Sequence, residues 1–263
     1  MRKASYNTVC IIVVSCLAAG YLASLFFVRR VNPHEFAREF FAINSLYEKR
    51  DYRRAIAGYE NLAARYKIQC MTLFYNLGNA YYKTNDLGKA VLYYTKAQRL
   101  APRDHDVNTN LRVAQMRAGV TVHPEEPSPR TLGRKLLRLF SLFEGVAASL
   151  TFRWLLMIFV VVTLFFGRKR RYFVRSCVGL AVLFYGCLGA TMYKAYLQKT
   201  YPQGVILEKE TPLRIKPTED GPTQTVLRAG TAVQLRRRFN GWCRISSDDG
   251  DVGWIREDTL GEI

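Results

Sequence analysis

At 263 residues and 49% hydrophobic content, the chain has room for two small domains and membrane spans, but not for a large enzyme core as well. A formal net charge of +18 points to nucleic acid or an anionic membrane surface. The charge is scattered, and its densest cluster, Arg168-Lys169-Arg170-Arg171, sits between two apolar runs, so the membrane displaces nucleic acid as the expected partner. Cys10, Cys16, Cys177 and Cys187 fall in apolar segments, and Cys70 and Cys243 fall one in each polar module. This is no disulfide framework, and no CxxC pair points to zinc.

Residues 8–28 are uncharged and mostly apolar, close to the ~20 residues a helix needs to cross the hydrocarbon core. With its flanks, segment 1–31 reads first as an uncleaved transmembrane anchor. A signal peptide cut near Ala18-Ala19-Gly20 and a lipid anchor on Cys16 stay open beside it.

Residues 32–120 carry a repeat. Phe74, Leu77, Gly78 and Tyr81 share one helical face, Asn85-Asp86 makes a turn, and Ala90, Tyr94 and Ala97 form the packing face of a second helix that Pro102 ends. This spacing follows the 34-residue tetratricopeptide pattern. Residues 36–66 read as a degenerate earlier copy, with Asp51 to Ala55 matching the run up to Ala90 and Tyr59 in the place of Tyr94. A helix over 106–117, with Leu111 and Ala114 inward, reads as a cap. The inner helices of such a unit line a concave groove, here with Asn44, Asn76, Asn79, Tyr82, Lys83 and Asn110. Asn76 and Asn79 lie three apart on one helix face, where their amides can bond an extended peptide backbone, and Lys83 is placed for a carboxylate. The competing reading is an ordinary solvated polar face.

Residues 121–146 are expected to be a proline-rich linker, Val122 to Pro129, followed by an amphipathic interfacial helix. Leu132, Leu136, Leu139, Phe140 and Phe143 form its apolar stripe. A transmembrane hairpin is expected over 147–196. Val182, Gly186 and Ala190 repeat every fourth residue on its second span, as a close-packing stripe or as small lipid-facing residues. The basic loop at 168–171 is expected to face the cytoplasm, which puts both soluble modules on the opposite, extracytoplasmic side, while Arg29-Arg30 and the basic run Arg134-Lys135-Arg138 pull the other way.

Over 197–263 the period changes to short strands punctuated by Asn240-Gly241 and Asp249-Gly250. Leu213-Arg214-Ile215-Lys216-Pro217, Gly241-Trp242-Cys243-Arg244-Ile245 and Gly253-Trp254-Ile255 resemble bacterial SH3 domains. Alternation sets Trp242 and Arg244 on one face, Cys243 and Ile245 on the other. Trp242 and Trp254 are read first as core and second as a ligand groove. Arg236-Arg237-Arg238 reads as a solvated edge strand.

No phosphate loop, GxSxG elbow or HExxH helix occurs, and His34, His105 and His123 are isolated. The expectation is no enzyme, no metal and no cofactor. The fold class expected is therefore a multi-domain membrane protein: an all-α tetratricopeptide-repeat unit, three transmembrane helices and a C-terminal all-β SH3-like barrel.

Tyr75-Asn76-Leu77-Gly78-Asn79-Ala80-Tyr81-Tyr82-Lys83, Leu87-Gly88-Lys89-Ala90-Val91-Leu92-Tyr93-Tyr94 and Arg99-Leu100-Ala101-Pro102-Arg103-Asp104 resemble the BatE-like family, protein E of the Bacteroides aerotolerance operon. The asparagine-bearing helix at 108–111, the paired spans and the terminal module follow in the same order. The resemblance implies a multi-pass protein of the bacterial inner membrane, linked to aerotolerance or envelope stress. It implies partners among membrane proteins with von Willebrand factor A domains and a MoxR-type ATPase. Two functions follow: an interaction scaffold acting through the repeat groove, or a cell-wall-binding protein whose barrel engages peptidoglycan.

Overall fold

The computed structural model of the chain describes residues 32–120, 137, 139–165, 170–247 and 250–263. The first apolar segment, the linker and most of the expected interfacial helix lie outside the described residues.

Five helices build the N-terminal module: α1 (Pro33–Glu48), α2 (Tyr52–Tyr66), α3 (Met71–Lys83), α4 (Leu87–Leu100) and α5 (His105–Arg117). Their starts are local. Asn32, Asp51, Asp86 and Asp104 occupy N-cap positions, and each side-chain oxygen accepts a first-turn backbone N–H, contacts worth about 1 kcal/mol apiece. Arg50 and Asn85, with φ of 64° and 62°, turn the first two hairpins at matching positions. The degenerate copy thus folds as the regular one does. Ala55, Tyr59, Leu73, Leu77, Tyr81, Ala90, Tyr94, Leu111 and Ala114 meet in one buried core.

Two further helices, α6 (Leu142–Phe165) and α7 (Arg170–Thr200), are long and apolar enough to cross a membrane over Leu142–Val160 and Val174–Thr200. A third span, expected in residues 1–31, lies outside the described residues. The start of α6 is a capping box: Glu144 N donates to Ser141 Oγ at 3.1 Å, and Ser141 N donates to Glu144 Oε2 at 2.8 Å. Phe143 therefore belongs to the first turn of α6, not to a separate interfacial helix ending at 146, and α7 continues to Thr200, beyond the expected boundary at 196. Val182, Gly186 and Ala190 do not form the helix–helix seam. They are exposed, and a Cβ added at Gly186 would meet nothing on the neighbouring helix within 4 Å. The half-buried stripe is Cys177, Phe184, Cys187, Thr191 and Lys194, closed where an added Cβ on Gly145 would lie 2.5 Å from Thr191 Oγ1.

Seven strands follow: β1 (Gln203–Ile206), β2 (Glu210–Arg214), β3 (Thr223–Arg228), β4 (Ala232–Phe239), β5 (Trp242–Ser247), β6 (Val252–Arg256) and β7 (Leu260–Glu262). They form one antiparallel sheet in the order β3-β2-β6-β5-β4-β1-β7. Every strand sends side chains into a single core of Ile206, Leu213, Leu227, Val233, Leu235, Cys243, Ile245, Ile255 and Leu260, so the sheet curls around it. Neither Trp242 nor Trp254 is in that core. Both are half-buried on the outer face, where Trp254 meets Phe239 edge-on at 6.4 Å. The core-packing reading of the two tryptophans is corrected. The Arg236-Arg237-Arg238 stretch is exposed, and although β4 lies inside the strand order, β1 pairs only with Ala232, Val233 and Gln234, so the arginines have a ladder partner on the β5 side alone and form a local edge as expected.

The repeat module and the barrel pack directly on one another. Val91 and Leu92 of α4 meet Gly230, Leu207 and Gly261 of the barrel, and Val205 belongs to the repeat core. Arg99 donates to the Ile263 carbonyl at 2.8 Å and to Gln203 Oε1 at 2.9 Å, while Arg228 donates to the Gly119 carbonyl at 3.0 Å. Arg103 ties the repeat module to the hairpin through an ion pair with Glu144 and a face-on contact with Phe140, 5.3 Å from the ring centre. The two modules therefore lie on the same side of the paired helices.

Candidate functional site

The groove is built on two equivalent side-chain triads. Tyr59 of α2 donates its hydroxyl to Asn44 Oδ1 at 2.6 Å, and Asn76 Nδ2 donates to the same oxygen at 3.1 Å. One repeat on, Tyr94 of α4 donates to Asn79 Oδ1 at 2.7 Å and Asn110 Nδ2 to the same oxygen at 3.1 Å. Asn110 also donates to the Tyr75 hydroxyl at 2.9 Å. Each triad joins a tyrosine from an outer helix to asparagines from two successive inner helices. The asparagines are thus first of all the polar fastening between repeats.

Burial keeps the tyrosines protonated as donors. It pushes the Tyr59 phenol up to about 12 and raises Tyr94 strongly as well. The asparagines are half spent. Among the described residues, Asn44 and Asn79 use their carbonyl oxygens and keep their amino groups; Asn76 and Asn110 use their amino groups and keep their carbonyls. The remaining groups alternate between donor and acceptor, as the backbone of an extended peptide does.

Asn79, Tyr82, Lys83 and Asn110 line one pocket of about 270 Å³, with Tyr47, Tyr94 and Val113 completing its wall. Asn44 and Asn76 are not part of that pocket; they form the neighbouring triad. Lys83 is exposed and makes no ion pair among the described residues. The Arg117 guanidinium covers the Tyr82 ring at 4.9 Å from its centre. Sequence reasoning missed Tyr47, Tyr94 and Val113. Val113 had a signal, because it follows Asn110 by three residues on α5 and shares its face.

The second candidate surface is the outer face of the barrel. Phe239 lies opposite Trp242 across β4 and β5, and Arg244 lies opposite Trp254 across β5 and β6. This gives half-exposed aromatic rings interleaved with arginines, beside Arg214, which pairs with Trp254 in register. Trp242 and Trp254 lie well away from the repeat pocket in sequence and share none of its lining.

Residues 72–104 match the tetratricopeptide repeat, and residues 209–261 match the bacterial SH3 domain. The chain carries both modules. No curated protein matches it. The repeat match takes in Asn76, Asn79, Tyr82 and Lys83, and the SH3 match takes in both tryptophans. Both modules point to interaction roles.

Proposed function

We propose that this chain is a membrane-anchored interaction scaffold of a bacterial envelope complex that holds an extended protein segment in the groove of its repeat module. The observation that carries this reading is the pair of tyrosine–asparagine triads. They leave alternating donors and acceptors along the groove, ending at Lys83, which makes no ion pair among the described residues. A binding role and not catalysis is the proposed activity. The apolar outer faces of α6 and α7, with Leu150, Ile158, Val178, Val182 and Leu183 about half-exposed, support a lipid surround. A multi-pass inner-membrane protein with extracytoplasmic modules, working with A-domain membrane proteins and a MoxR-type ATPase in aerotolerance, is the finer form of the proposal. It rests on the family resemblance and on the basic loop.

The groove is tested by occlusion. Asn79→Ala is a poor probe, because it would strip the buried Tyr94 hydroxyl of its acceptor and lower stability by about 1–3 kcal/mol. Val113 is 37% exposed on the pocket wall, so Val113→Arg fills the groove without entering the core. Crosslinked partners recovered from solubilised membranes should fall by at least roughly tenfold for Val113→Arg, the loss of about 1.4 kcal/mol of binding. Normal recovery with Val113→Arg, alongside loss with a folded Trp242→Ala variant, would make the barrel face the binding element. That second reading, cell-wall binding through the barrel, is favoured by the half-exposed Phe239–Trp242–Trp254 surface. Sedimentation of the solubilised protein with purified peptidoglycan measures it directly.

Orientation has its own test. Asp220 is exposed in the turn between β2 and β3. A cysteine placed there, in a background lacking the native cysteines, should react with an impermeant thiol reagent in intact spheroplasts. Labelling only after lysis would reverse the orientation.

A further inference from the structure

The repeat groove does not end at Lys83. The next residues, Thr84 and Asn85, begin a second and larger cleft, about 720 Å³, between the repeat module and the barrel. Arg117 belongs to both: its guanidinium covers Tyr82 in the groove, and its side chain lines the cleft. The far wall comes from the barrel, with Lys209 before β2 and Arg228 at the end of β3. Across groove and cleft, Lys83, Arg117, Lys209 and Arg228 make no ion pair among the described residues, and all four are exposed. Arg228 is held in place by its bond to the Gly119 carbonyl. The acidic groups facing them are Asp86 and Glu210. Asp86 is already engaged by the Lys89 amide at 3.2 Å and ammonium at 3.8 Å, which leaves Glu210 against four cations.

We infer that the inter-module cleft is a second binding site, continuous with the repeat groove, for an acidic stretch of an extended polypeptide. The inference deepens the groove reading and gives its partner a chemistry: a backbone held by the asparagine triads, followed by carboxylates held between Arg117 and the barrel cations. Neither module forms this site alone, because the repeat unit supplies Arg117 and the barrel supplies Lys209 and Arg228. Exposed charges act over about a Debye length, so binding should weaken as salt rises. The contact between the modules would then have a function beyond stability, since it places the barrel cations at the mouth of the groove.

The test uses the full chain in an uncharged detergent and fluorescent peptides alternating Ser-Glu, Ser-Gln or Ser-Lys, read by anisotropy at low and high salt. The Ser-Glu peptide should bind roughly tenfold more tightly than Ser-Gln at low salt and lose that advantage at high salt. Lys209→Glu and Arg117→Glu should each weaken Ser-Glu binding by roughly threefold to tenfold, and Lys209→Glu should do so with unchanged melting temperature, since its side chain is exposed and, unlike that of Arg117, covers no aromatic ring. Equal binding of Ser-Glu and Ser-Gln overturns the proposal. So does unchanged binding in Lys209→Glu, because the barrel then contributes nothing. If Ser-Glu binds only after Glu125 and Glu126 are changed to glutamine, the cleft serves the chain's own linker and the proposal also falls. The groove reading is judged separately by Val113→Arg. If Val113→Arg abolishes partner capture while Lys209→Glu leaves the peptide unaffected, the groove stands and the cleft does not. The converse pattern leaves the cleft standing without the groove.

Discussion

Gly78→Leu should destabilise the repeat module more than any other single substitution at its helix seams. An added Cβ at Gly78 would lie 2.6 Å from Cδ1 and 2.7 Å from Cε1 of Tyr94, well inside contact distance. Tyr94 cannot retreat cheaply. It is 2% exposed, and its hydroxyl is fixed on Asn79 in the second triad. Overpacking of this kind costs about 1–3 kcal/mol, and a displaced Tyr94 adds about 1–3 kcal/mol for a buried hydroxyl without its acceptor. The gain in helix propensity on leaving glycine, about 1 kcal/mol, is too small to offset both. Thermal unfolding of the full chain in detergent measures the loss. The cause is checked by a double-mutant cycle with Gly78→Ala and Tyr94→Ala. Removing the ring should abolish most of the cost of the added methyl group. A Gly78→Leu protein that melts with the wild type would mean that α3 and α4 do not meet at Gly78.

Gly88→Ala should separate the repeat module from the barrel while leaving each folded. The added Cβ would sit 2.1 Å from the Leu207 carbonyl oxygen, a backbone atom and not a side-chain end that can swing away. Leu207 is held in turn by the hydrogen bond its backbone N–H donates to the Thr259 carbonyl at 2.9 Å. Intrinsic propensity favours alanine within α4 by about 1 kcal/mol, so any loss of stability here runs against the local preference. Separation would uncover Val91 and Leu92, each worth about 1.5–3 kcal/mol of burial. The expected result is faster amide exchange in β1, β7 and the exposed side of α4, with protection retained at Tyr59 and Ile245 in the two cores. The same variant should lose the salt-dependent advantage of the Ser-Glu peptide. Uniform exchange rates, unchanged from the wild type, would mean that the close approach at Gly88 relaxes without cost.

The two glycines show what could be read from the chain and what could not. Gly78 was legible. It lies on the apolar face with Phe74, Leu77 and Tyr81, and the repeat pattern supplies the aromatic residue on the partner helix. Gly88 carried no such signal, because its reason is a carbonyl in the barrel, on the far side of the membrane hairpin in sequence. The asparagines fall between these cases. Their side of the helix followed from spacing, but their pairing with Tyr59 and Tyr94 depends on how neighbouring helices pack. The same holds for the tryptophans. Strand alternation put Trp242 beside Arg244, and a face bearing an arginine is the outer one in a barrel this small. That inference was available from the sequence, and the burial of Cys243 and Ile245 makes it visible.

By itself, the sequence determined most of the elements: the repeat helices, two apolar helices long enough to span a membrane, and the short strands of alternating apolar residues up to β6, while β7 (Leu260–Glu262) went unread. These depend on periods of 3.6 and 2 and on caps and turns a few residues apart, interactions that local order is sufficient to specify. Only the tertiary structure decided that α4 packs on β1 and β7, that the asparagines fasten the repeats before they face a ligand, and that Arg117 and Lys209 share a cleft. Those depend on surfaces far apart in sequence, brought together by burial of Val91, Leu92 and Val205. Burial is non-directional, so the chain order of its participants carries no trace of which surfaces will meet.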